Sequence, residues 1–230
     1  PQAGQAGRQE GGHRGGAGAQ RRDKRCVNGR EVIRRPAQAG AVSMSRIPAP
    51  AELDIDWVFA YGSLIWDPGD MAITRIEPGL LRGYHRSFCI RSILYRGTPQ
   101  EPGLVLGLDR GGSCMGMVQH LDPALRRESL EHLYAREIPV GADRVYLPRI
   151  VPVRLASGSI VRALAFVADR SLPSYARLAE EEVLALLGRC RGHRGPNRDY
   201  AINTWEALRR HGVHDERLAA IVRRLREQSC

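Results

Sequence analysis

Between Trp57 and Leu121 the chain passes from one strand-like segment to the next with no helical stretch between them. That order argues against a parallel, doubly wound sheet, because parallel neighbours need crossover helices. Trp57-Val58-Phe59-Ala60-Tyr61 reads as a buried strand, which Gly62-Ser63 breaks into a turn. Residues 79–95 mix apolar, aromatic and arginine positions and read as one bent strand, while 96–103 are loop because Pro99 and Pro102 lack ladder donors. Segments 104–109 and 114–121 flank Arg110-Gly111-Gly112-Ser113, a hairpin signal. Asp122-Pro123 offers an N-cap and a proline for the first helical position, and Leu125, Leu130, Leu133 and Tyr134 give that helix an imperfect apolar stripe. Pro139 and Gly141 stop it near Glu137. Strands at about 149–155 and 160–167 bracket a Ser157-Gly158 turn, and helices are expected over 180–189, 197–211 and from the N-cap Asp215 to 227. The whole predicts an α+β fold, a small mixed, antiparallel-rich β-barrel packed by helices.

The globular part is expected to span 46–230 of the 230 residues. Residues 1–43 carry nine Lys/Arg against three Asp/Glu, a net of +6 out of +10 for the chain, and show no apolar periodicity. Residues 1–45 therefore read as a disordered basic tail, and Met44 marks them as a candidate over-extended gene start. Arg21, Arg22, Lys24 and Arg25 would suit a nucleic-acid arm, which would make the domain a non-catalytic binding module. No aromatic residue is interleaved with them, so no nucleic-acid partner is expected. No apolar run reaches the length of a membrane span, so no membrane partner is expected either. Five cysteines, Cys26, Cys89, Cys114, Cys190 and Cys230, lie far apart without a CxxC pair, which fits free thiols in a reducing, cytoplasmic compartment. Neither metal-ligand spacing nor a cofactor fingerprint is present, so no cofactor is expected.

Two features carry chemistry. A glycine turn after a buried strand frees backbone amides that can be aimed at one anion. Glu137, in the last turn of a helix, sits at the negative end of the helix dipole, where its pKa should rise, as suits a general base that later returns its proton. The plainer reading of Glu137 is a solvated helix-end residue paired with Arg136 or Arg144. Position in sequence alone leaves both open.

Taken in order, WVFAYGSLIWDPG (57–69), GYHRSFCI (83–90), RGTPQEPGLVLGLDRGGSC (96–114), LYARE (133–137), YLPR (146–149) and GPNRDYAINT (195–204) resemble the ChaC-like gamma-glutamylcyclotransferases over about 57–218. The resemblance implies a gamma-glutamylcyclotransferase-like fold and a lyase that cyclises the gamma-glutamyl group of glutathione, releasing 5-oxoproline and cysteinylglycine. It makes Glu137 the catalytic base and Tyr61, Gly62, Ser63 and Leu64 the substrate-binding loop, with Tyr146 and Tyr200 lining the pocket. Arg91 and Arg96 are candidates for a carboxylate on the cysteinylglycine half. Ile150 departs from the tryptophan frequent in the family, and the loop between Glu137 and Tyr146 is longer than usual. Other gamma-glutamyl amino acids or amines are the alternative substrates.

Overall fold

The computed structural model of the protein describes residues 49–138 and 145–228. The tail of residues 1–45 and most of the loop after Glu137 lie outside them, as do Cys26 and Cys230. Five strands close into a barrel in the order β1-β3-β2-β4-β5. They are β1 (Trp57–Ala60), β2 (Ile73–Ser92), β3 (Gly103–Leu121), β4 (Tyr146–Leu155) and β5 (Ile160–Ala168). Neighbours pair antiparallel except where β5 meets β1 and, at Leu108 and Val167, β3. The mixed, antiparallel-rich barrel expected from the sequence is thus the fold.

Three expectations need correction. Residues 110–113 do not reverse the chain, because β3 runs through them unbroken and its ladder with β2 continues from Arg82↔Ser113 to Tyr84↔Arg110 across a register shift. Gly83, Gly111 and Gly112 all have positive φ there. The glycines therefore bend a long ribbon as a bulge instead of making a turn, and β2 begins at Ile73, earlier than periodicity suggested. The first helix, α1 (Arg126–Glu137), starts later than Asp122. Asp122 instead closes a turn ahead of it, its Oδ1 accepting from Ala124 N at 2.9 Å and its carbonyl from Leu125 N at 3.0 Å.

The remaining helices are α2 (Glu180–Arg189), α3 (Asn197–Arg210) and α4 (Glu216–Glu227), with the short pair β6 (Arg191–Gly192) and β7 (Gly195–Pro196) before α3. Asp215 caps α4 as its sequence position implied, accepting from Leu218 N at 2.9 Å. Phe59, Leu81, Leu108, Met117 and Leu164 fill the core with the inner faces of the helices. Each such side chain, fully buried, contributes roughly 1.5–3 kcal/mol. No helix among the described residues is long and apolar enough to cross a membrane.

Candidate active site

After β1 the chain leaves the barrel through Tyr61 and Gly62 and makes one turn of 3-10 helix, Ser63–Ile65. Every carbonyl from Tyr61 to Leu64 is tied back. Tyr61 O accepts from Arg86 Nε at 2.7 Å and Leu64 O from Gln119 Nε2 at 2.8 Å. Gly62 O accepts from Ile65 N, and Ser63 O from both Trp66 N and Asp67 N. Among the described residues the amides of Gly62, Ser63 and Leu64 have no partner, since the first N–H groups of a helix have none within it and Gly62 provides no side-chain cap. The turn is therefore a rigid set of donors with its acceptors turned inward.

Gly62 is required by proximity. A Cβ built on it would stand 2.9 Å from the Tyr200 hydroxyl. Its φ is −134°, so it is the approach of α3 that excludes a side chain, where the sequence suggested a sharp turn.

The end of α1 brings Arg136 and Glu137 to the same place. Arg136 donates from Nη1 to Asp67 O at 2.8 Å and from Nη2 to Ser63 Oγ at 3.1 Å, while its Nε stands 3.5 Å from Glu137 Oε1. One guanidinium thus joins the turn to the carboxylate. Arg194 Nη1 completes the chain of charges on Asp67 Oδ2 at 2.8 Å. The Glu137 side chain is only 15% exposed. Its pKa is raised chiefly by burial and also by Asp67, with Arg136 and Arg194 opposing. The direction agrees with the sequence reading, but lost solvation comes first among its causes.

Three side chains finish the free edge of β3. Asn197, fully buried at the start of α3, accepts from Leu104 N at 2.6 Å and donates to Leu104 O at 2.7 Å. Tyr200 Oη, one turn later, accepts from Leu106 N at 3.2 Å, and Tyr146 Oη donates to Leu106 O at 2.9 Å. Tyr61 Oη donates to Phe166 O on β5 at 2.7 Å. Burial pushes all three phenols above their ordinary value, so they remain protonated at neutral pH.

Ser63, Glu137, Tyr146 and Tyr200 line one cavity of about 540 Å³, together with Arg91 and Arg96. Tyr61, Gly62 and Leu64 do not line it: Tyr61 and Leu64 are buried and Gly62 lies against Tyr200, so of the four residues of the expected binding loop only Ser63 reaches the cavity. The sequence reading missed Arg86, Gln119 and Asn197 as supports and gave Arg136 no part in the loop. Cys89 lines a different cavity, and burial with Asp109 nearby pushes its thiol up to about 12, which removes it as a nucleophile.

Residues 56–228 match the family described as ChaC-like protein. The glutathione-specific gamma-glutamylcyclotransferase of Escherichia coli K12 is 34% identical over 163 residues, 70% of this chain and 69% of that one. Human glutathione-specific gamma-glutamylcyclotransferase 1 is 33% identical over 175 residues, 72% of this chain and 76% of that one. Among solved structures, a yeast gamma-glutamyl cyclotransferase specific to glutathione superposes with a TM-score of 0.67 at 20% identity, over 74% of this chain and 95% of that one, a likeness of fold.

Proposed function

Because the chain belongs to the ChaC-like family, we propose that it cyclises the gamma-glutamyl group of glutathione and releases 5-oxoproline and cysteinylglycine. The observation that carries the reading is the meeting of the largely buried Glu137 carboxylate and Ser63 of the glycine turn on one cavity, joined by Arg136. The free amides of Gly62, Ser63 and Leu64 take the substrate's alpha-carboxylate, and Glu137 stands at its alpha-amine. Glu137 accepts a proton from the ammonium as the amine attacks the gamma-carbonyl carbon. The second proton that this nitrogen sheds on becoming the ring amide passes to the cysteine nitrogen as its bond to the gamma-carbon breaks, and Glu137 then returns its own proton, so that the amine leaves as an ammonium. Attack closes a five-membered ring from a tethered nucleophile, so proximity supplies much of the rate and the protein needs no nucleophile of its own.

Arg136 has two effects in this scheme. It fixes the turn through Ser63 and Asp67, and it favours the ionised form of Glu137 that can act as base. The cysteines among the described residues are all free, which supports a reducing, cytoplasmic setting. The test is incubation of the purified protein with glutathione and quantification of 5-oxoproline and cysteinylglycine. Equimolar appearance of both is expected. Their absence with folded protein would overturn the reading.

A further inference from the structure

Arg96 is 6% exposed and lines the cavity. A buried guanidinium is normally matched by a carboxylate, because the cost of removing it from water is otherwise uncompensated. Among the described residues Arg96 makes no ion pair. Its Nη1 donates to two backbone carbonyls, Arg194 O at 2.7 Å and Pro196 O at 3.1 Å. Its carbon centre stands 5.9 Å from the Trp66 ring and 5.6 Å from the Tyr200 ring, so two aromatic faces share its charge. The Nε and Nη2 hydrogens have no acceptor among the described residues, and these form the edge that matches a carboxylate in bidentate geometry.

The backbone beneath it is wedged in place. A Cβ on Gly97 would stand 2.0 Å from Gly103 N, one on Gly103 would stand 2.0 Å from Arg96 O, and one on Gly192 would stand 2.5 Å from Arg96 N. Arg96 N also donates to Ser92 Oγ at 3.1 Å. The side chain therefore starts from a fixed point. Arg91, on the same wall, is only partly buried.

We infer that Arg96 receives the glycine carboxylate of glutathione and so selects for substrates that carry an anion at that end. This rests on the cyclisation proposed above. The other carboxylate of the substrate already has the amides of Gly62, Ser63 and Leu64, beside Arg136. Arg96 and Glu137 line the same cavity, and Arg194 and Asp67 act on both.

The experiment compares glutathione with its glycine ethyl ester, which lacks that negative charge, for wild type, Arg96→Gln and Arg96→Lys, reading turnover and equilibrium binding separately. Wild type should favour glutathione at least tenfold in kcat/KM, through KM. Arg96→Gln should bring the ratio near one by raising KM for glutathione alone, and Arg96→Lys should restore part of the preference. Equal handling of the two substrates by wild type overturns the assignment with no mutant needed. So does an Arg96→Gln protein that weakens on both substrates alike, because Arg96 would then serve the gamma-glutamyl end. Binding preference without 5-oxoproline would overturn the cyclisation and leave Arg96 supported, whereas 5-oxoproline without preference would do the reverse.

Discussion

As the proposed base, Glu137 must be a carboxylate that tolerates burial and yet ionises. Glu137→Gln keeps the shape and removes the proton acceptor, so 5-oxoproline release should fall by about 10²–10⁴-fold with the fold intact. Wild-type turnover in that variant would exclude the base. The raised pKa also sets a sign for stability. A group whose folded pKa lies above its unfolded value favours the fold at low pH, and that contribution is lost as pH rises through the folded value. Glu137→Gln should accordingly gain in Tm relative to wild type as pH rises from acid to neutral. The same shift places the acid limb of kcat/KM above the ordinary carboxylate range. Arg136→Gln should move that limb to higher pH, since Arg136 lowers the Glu137 pKa; an unmoved limb would remove Arg136 from the electrostatics. Gly62→Ala should raise KM about tenfold or more through its clash with the Tyr200 hydroxyl. Adding Tyr200→Phe should recover part of that loss, and strict additivity would count against the contact.

At the scale of elements, α3 is docked on β3 by Asn197, whose amide satisfies both backbone groups of Leu104. Asn197→Ala leaves two buried groups without partners and should cost about 3 kcal/mol in chemical denaturation. Gly111→Ala, at φ +100° with open space around it, should cost only about 1–2 kcal/mol of backbone strain. A neutral result at Gly111 would mean the bulge relaxes. These elements show what the sequence could reveal. Asp215 announced α4 because an N-cap is a local contact, β4 and α2 stood out because their burial repeats with the period of their backbone, and β5 stood out as an apolar run after the Ser157-Gly158 turn. Gly111-Gly112 misled because the same positive φ serves a turn and a bulge, and only the partner strand decides between them. Glu137 and the glycine turn were each legible, but their meeting depends on Arg136 reaching back to Ser63 across 73 residues, which no local pattern records.

Across the whole molecule, Arg86 ties the turn to the last helix. Its side chain is almost fully buried, donating to Tyr61 O and Met115 O at 2.7 Å each and pairing with Asp215. Asp215→Ala removes both the counter-charge and the α4 cap, and should cost about 3 kcal/mol or more. Because Arg86 also holds Tyr61 O, glutathione affinity should fall with it, whereas Asp215→Asn, which keeps the cap, should show the affinity loss with a smaller drop in stability. Loss of stability with unchanged KM would separate the helix from the site. The link through Arg86 also has an order in time. During synthesis the glycine turn leaves the ribosome long before Tyr200 and Asp215, so the nascent chain holds Glu137, the proposed base, beside an unfinished wall, and the proposed cyclisation awaits α3 and α4.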